Sequence, residues 1–167
     1  MRAPSFAVGI PCKSLLLNIT DFNLAEGRLS LKMISKKTKY GLKALAHLAR
    51  KGKGVQVVIA EIAAAEQIPR KFLEAILLEL KNSGHLGSRM GKGGGYHLLQ
   101  DPEAITLAAI YRILEGPIAM LPCVSLNYYE QCADCKSEES CQLKRVMVEV
   151  RDKTLSVLEN RTLVDLV

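Results

Sequence analysis

The chain contains no apolar run approaching the roughly 18–20 residues that a membrane-spanning helix needs. Its best stretch, Phe6 to Leu17, is interrupted by Gly9, Pro11 and Lys13. A convincing cleaved secretory signal is also missing, since the first 32 residues offer only an early Arg2 and a weak apolar segment. A cytoplasmic protein without membrane contact is therefore expected. No Ser/His/Asp constellation or paired carboxylates stand out, and no βαβ pattern surrounds Cys132 and Cys135, which argues against an enzyme, a dithiol oxidoreductase included. Acidic residues are scarce in one half: residues 33–100 hold 4 Asp/Glu against 12 Lys/Arg, net +8, while residues 101–167 hold 11 against 7, net −4. Positive charge concentrated in this way attracts a polyanion, and each Lys or Arg placed on a phosphate releases counterions, so double-stranded DNA is the first partner to consider. A merely solvated basic surface is the alternative at this point. At 167 residues the chain can bury one substantial core with appendages, but not two large ones.

Sustained periodicity begins only near Ser35. Residues 1–32 carry Pro4, Gly9, Pro11 and Gly27 without a helical or alternating pattern, and they read as a poorly ordered extension, with Met33 a candidate true start. Tyr40, Leu42, Ala44, Leu45, Leu48 and Ala49 then recur at helical spacing until Lys51-Gly52-Lys53-Gly54 ends the run. Val57, Ile59, Ile62, Ala63 and Ala64 predict a short second helix ending near Gln67. Pro69 suits the first turn of a third, with Phe72, Leu73, Ile76, Leu77 and Leu80 as its apolar face and Ser83-Gly84 as its stop. His85–Met90 and Tyr96–Leu99 are extended candidates flanking Gly91-Lys92-Gly93-Gly94-Gly95, which reads as a hairpin tip. A fourth helix is expected after Thr106, ending at Gly116-Pro117. From Cys141, Leu143, Val150, Val157 and Val164 fall seven apart and predict a long amphipathic helix with a partner-facing stripe, interrupted near Asn160 to Thr162.

Three helices followed by a two-stranded hairpin is the order of a winged helix-turn-helix, whose third helix enters the major groove. The fold expected is mainly α with a small β-hairpin: a winged-helix DNA-binding domain over residues 33–116, a cysteine-rich sensor loop over 117–141, and a dimerisation helix and tail over 142–167. Arg70, Lys71 and Glu74 project from the N-terminal half of the third helix, where base edges are approached. Lys36, Lys37, Thr38, Lys39 and Tyr40 are placed to meet phosphates from the start of the first helix, as are Arg89 and Lys92 from the wing. Each of these signals is weak alone; their order and shared charge sign carry the reading.

Thr38-Lys39-Tyr40-Gly41-Leu42, Ile68-Pro69-Arg70-Lys71-Phe72-Leu73-Glu74 and Gly91-Lys92-Gly93-Gly94-Gly95-Tyr96 together resemble the Rrf2 family of bacterial transcription regulators over nearly all of residues 33–167. The resemblance implies a homodimer on an operator of approximate two-fold symmetry, with Lys71 and Glu74 near bases and Tyr96 supporting the wing. Many relatives carry Arg where this chain has Met90, so operator preference does not transfer. Arg89 is no simple substitute, because in a regular strand it points to the opposite face.

Cys123, Cys132, Cys135 and Cys141 are separated by eight, two and five residues in an acidic loop, while Cys12 stands apart with no role assigned. Thiolates at this density suit soft metals: tetrahedral zinc or an iron-sulfur cluster. Neighbouring thiols can instead form a reversible disulfide. The resemblance implies that Cys123, Cys135 and Cys141 match the cysteines that hold a 2Fe-2S cluster in some members. Those members can place a histidine three residues after the last cysteine, where this chain has Lys144; Cys132 is the substitute available here. The resemblance alone puts a cluster first, then structural zinc, a thiol switch and cysteines that merely fill a loop. His47, His85 and His97 are read as helix and wing residues rather than ligands. The expected function is therefore a DNA-binding regulator under cluster or redox control. The alternative is a winged-helix adaptor, or a regulator with zinc or a thiol switch and no cluster.

Overall fold

The computed structural model describes residues 34–91, 93–135 and 137–167. The expectations for residues 1–33, Cys12 included, and for Lys92 fall outside them.

Helix α1 spans Lys36–Lys51; the Ser35 hydroxyl caps it by accepting from the Thr38 N–H at 3.2 Å, and Gly52 closes it at φ 95°. Arg50 and Lys51 in its last turn complement the negative end of the helix dipole. Helix α2 spans Ile59–Glu66 and ends on Gln67 in the left-handed region at φ 54°. Helix α3 spans Arg70–Asn82, begins at Pro69 and buries Leu73, Ile76, Leu77 and Leu80, one face at helical spacing. These side chains join Ala44, Leu45 and Leu48 of α1 and Ile62 of α2 in a single core. Burying each large aliphatic side chain contributes about 1.5–3 kcal/mol.

Strands β1 (Leu86–Arg89) and β2 (Gly95–Leu98) pair antiparallel, Leu86 opposite Leu98 and Arg89 opposite Gly95. The inward-facing Leu86 and Leu98 fix this register by entering the core. Val57 corrects the sequence reading. It is not part of α2 but pairs with Tyr96, each N–H donating to the other carbonyl at 2.9 Å. The hairpin is thus held on its inner side by a third extended segment, which relieves the weakness of a two-stranded sheet. Gly95 permits this close approach: a Cβ there would lie 2.2 Å from the Val57 carbonyl oxygen.

Helix α4 spans Leu107–Leu114, with the Thr106 hydroxyl accepting from the Ala109 N–H at 3.3 Å. Helix α5 spans Gln142–Glu159, with Cys141 as its cap. The chain then bends as predicted at Asn160–Thr162 and enters a short 3-10 turn, Leu163–Leu166. That turn seats the fully buried Leu163 in the core, with its N–H donating to the Ile105 carbonyl at 3.0 Å. Val164 therefore lies off α5, and the seven-residue series on the helix is Leu143, Val150 and Val157. Among the described residues no helix is long and apolar enough to cross a membrane.

Candidate nucleic-acid interface and cysteine loop

The basic residues divide into two populations. Lys37 pairs with Glu79 at 3.0 Å, Lys43 and Arg50 with Glu66, Lys51 with Glu61 at 2.9 Å, Lys53 with Asp101 at 2.9 Å and Arg70 with Glu74 at 3.1 Å. Among the described residues, the cations of the basic half left without a carboxylate partner are Lys36, Lys39, Lys71, Lys81 and Arg89. All but Lys81 belong to the set expected to meet DNA. Lys36 and Tyr40 are four residues apart and share one face of α1.

Phe72, expected within the core face of α3, is 38% exposed and meets Tyr40 edge-to-face, ring centroids 5.8 Å apart at 80°. The aromatic pair joins the entry of α3 to the opening turns of α1. Arg89 stands exposed at the end of β1, and Glu74 is exposed on α3. Tyr96 is half-buried in β2 and packs on the core, so its place is that of a support for the hairpin. Met90, at the hairpin tip, is 95% exposed.

Thr38 is the exception within the predicted set. It is fully buried, and its hydroxyl donates to the Glu115 carboxylate, which also accepts from the Ser35 hydroxyl at 2.6 Å. Its side chain is therefore not available to a phosphate. Burial opposes ionisation of Glu115, but the hydrogen bonds from Ser35 and Thr38, with the charge of Lys37, outweigh it and hold the carboxyl below its ordinary range.

The cysteine loop packs on the opening of α5. A 3-10 turn at Pro122–Val124 buries Cys123 and Val124, and Arg151 of α5 donates to the Val124 carbonyl at 2.6 Å. Cys132, Cys135 and Cys141 are half-buried, and all four thiols are free. The Cys141 sulfur accepts from the Lys144 N–H at 3.4 Å. Lys144 occupies the position three residues after the last cysteine. Its ammonium donates to Glu138 at 2.5 Å, Glu138 also accepts from the Tyr129 hydroxyl at 2.7 Å, and the ammonium lies 5.9 Å from the Tyr129 ring centroid. This clasp ties the loop to the first turn of α5. Nothing in local spacing reveals it, because the three residues are not at helical or strand intervals.

The thiols of the loop perturb one another. The Cys132 thiol is pushed up to about 11, chiefly by hydrogen bonding to its neighbour Cys123 and then by burial. Burial, followed by hydrogen bonding to the neighbouring Cys141, raises that of Cys135. Four thiols have the donor chemistry for zinc or a 2Fe-2S cluster, yet among the described residues no three metal-ligating side chains converge. As arranged, the four free thiols do not form one donor set.

The family model for Rrf2, described as an iron-dependent transcriptional regulator, matches residues 34–167. The chain is 40% identical over 137 residues to an rrf2-like HTH-type transcriptional regulator of Rhodobacter capsulatus, spanning 80% of this chain and 91% of that one. It is 32% identical over 133 residues to the HTH-type transcriptional regulator CymR of Bacillus subtilis, spanning 80% and 88%. The solved structure of CymR, described as the global cysteine regulator of B. subtilis, matches with a TM-score of 0.65 at 32% identity, over 80% of this chain and 94% of that one. T. potens IscR matches with a TM-score of 0.61 at 27% identity, over 80% and 84%. These relatives are regulators rather than enzymes, and their fold is the winged helix built here from α1–α3 and the hairpin: the chain belongs to the Rrf2 family of transcriptional regulators.

Proposed function

We propose that this regulator binds double-stranded DNA as a homodimer on a roughly palindromic operator, and that the redox state of its cysteine loop controls the binding. The observation that carries the DNA reading is the segregation of cations. Carboxylates pair with most of the other basic residues, Lys37 and Arg70 among them, and leave Lys36, Lys39, Lys71 and Arg89 unpaired on the opening of α1, the entry of α3 and the hairpin, with Lys81 near the end of α3 the one unpaired described cation of the basic half outside that set. In this reading Lys36 and Lys39 hold phosphates, with Lys37 and Tyr40 beside them; Arg70, Lys71 and Glu74 approach base edges; Arg89 and Lys92 follow the backbone; Tyr96 supports the wing. Residues 33–116 form the DNA-binding domain, 117–141 the sensor loop and 142–167 the dimerisation helix and tail.

The homodimer reading rests on α5. Among the described residues none of this helix is buried, and Leu143, Val146 and Val157 are exposed. The exposed apolar stripe of α5 calls for a partner helix. For the control element, relatives supply the context: one is described as a global cysteine regulator, and Staphylococcus aureus CymR, 30% identical with a TM-score of 0.60, has been solved in an oxidised form. Four free thiols in one short loop favour thiol-disulfide chemistry; a 2Fe-2S cluster or zinc requires them to gather into one donor set.

Two measurements test the reading. Affinity for duplex DNA falls steeply with salt for a regulator that neutralises phosphates, whereas salt-insensitive or absent binding identifies an adaptor. Iron, acid-labile sulfide and zinc, measured with the visible spectrum on anaerobically purified protein, are low if thiols alone carry the signal. Stoichiometric iron with sulfide reverses that part of the reading.

A further inference from the structure

We propose that Glu79 sets the affinity for DNA: it holds Lys37 as an internal counterion, so that one cation of the proposed DNA face is withheld from phosphate. This rests on the DNA reading above and adds to it a carboxylate that acts without touching DNA. Lys36, Lys37 and Lys39 stand together in the first turn of α1, yet of the three only Lys37 meets a carboxylate, its ammonium donating to Glu79 Oε1 at 3.0 Å. The pair is fixed by the way α1 crosses α3. Gly41 lies at the crossing, where a Cβ would stand 3.3 Å from Ile76 Cγ2, and Tyr40 meets Phe72 beside it. Lys37 comes one turn before Gly41 and Glu79 about one turn after Ile76, so two helices running in opposite senses through the contact bring the side chains together. Among the described residues Glu79 has no other cationic partner, and the Glu115 carboxylate is taken by the hydroxyls of Ser35 and Thr38.

A carboxylate and a phosphate compete for the same N–H donors of an ammonium. Phosphate replaces Glu79 only by leaving a bare carboxylate beside the DNA backbone, where like charges repel. Lys37 therefore stays with Glu79 in the complex and releases no counterion, whereas Lys36 and Lys39 do. Both partners are at least a third exposed, at 36% and 39%, so the pair contributes little to stability and its removal leaves the fold intact. The Arg70–Glu74 pair is of another kind: it joins neighbours four apart on one helix, and both belong to the set proposed to approach base edges.

The test is binding of the full chain to a mixed-sequence duplex over a range of salt, in the parent, Glu79→Gln, Lys37→Ala, the double variant and Asp101→Asn, with thermal unfolding on the same samples. Glu79→Gln keeps the shape of the side chain and gives up its charge. It frees Lys37 for one more phosphate: low-salt affinity rises, the slope of log affinity against log salt steepens by about 0.9, and the advantage over the parent shrinks about 3.5-fold on a fourfold rise in salt. Lys37→Ala alone keeps the parent's slope, and adding Glu79→Gln to it leaves the slope unchanged. Asp101→Asn, the same change of charge at the Lys53 pair, also keeps it. An unchanged slope in Glu79→Gln, a steepening that survives in the double variant or appears equally in Asp101→Asn, or a shallower slope in Lys37→Ala overturns the proposal. So does a loss of affinity in Glu79→Gln with a lower unfolding temperature, which makes the pair a structural brace. In each of these cases the steep salt dependence of the parent keeps the DNA reading, whereas a parent that binds no duplex overturns both.

Discussion

Thr38 lies between Lys37 and Lys39 and shares neither their exposure nor their role. Its hydroxyl, with that of Ser35, ties the start of α1 to Glu115 at the end of α4. Thr38→Val keeps the shape and removes the donor, and costs about 1 kcal/mol of stability by denaturant unfolding, with DNA affinity near that of the parent. The Glu115 carboxyl is held below its ordinary value of 4.5. The stabilisation it provides is complete above that value and is lost as pH falls through the lower folded value. Stability followed from pH 6 downwards should therefore drop less in Glu115→Gln than in the parent. The local pattern could not reveal Thr38's burial, because its partner is 77 residues away. Lys71, by contrast, was legible: the phase set by Leu73, Ile76, Leu77 and Leu80 leaves it outside. Phe72, at the edge of that stripe, was assigned to the core, and only its neighbour Tyr40 decides where it sits.

Among the elements, the hairpin and α5 show what periodicity can and cannot deliver. Val57 adjoins an apolar helical pattern, and no local rule separates it from α2; its pairing with Tyr96 is a tertiary event. That pairing makes Gly95 critical. Gly95→Ala places a Cβ against the Val57 carbonyl, and the strain costs about 1–3 kcal/mol. Weakened DNA binding with α1–α3 still folded by amide exchange is the expected signature; a variant with unchanged affinity would mean the hairpin does not contact DNA. Helix α5 was legible as an amphipathic helix from its seven-residue spacing, but the bend that removes Val164 depends on Leu163 finding the core. A charge on the exposed stripe, Val157→Glu, shifts the protein to a monomer in sedimentation equilibrium if α5 joins two subunits. A dimer of unchanged strength would place the subunit contact elsewhere.

For the whole molecule, the charge imbalance between the two halves pointed to a polyanion before any fold was known. Folding sharpens that signal by neutralising some cations and leaving others free, a distinction set by long-range partners such as Lys53 with Asp101. The arrangement of the cysteines was illegible for the same reason: sequence gives their density, while the loop's path decides which sulfurs meet. The most direct measurement is the slope of log affinity for duplex DNA against log salt in two variants that remove equal charge, Lys36→Ala/Lys39→Ala and Lys51→Ala/Lys53→Ala. The first pair should lose about 0.9 of slope for each phosphate contact removed, and the second, whose partners are Glu61 and Asp101, should keep the parent's slope. Equal losses in both would mean that DNA responds to net charge alone and would contradict an interface built from the unpaired cations.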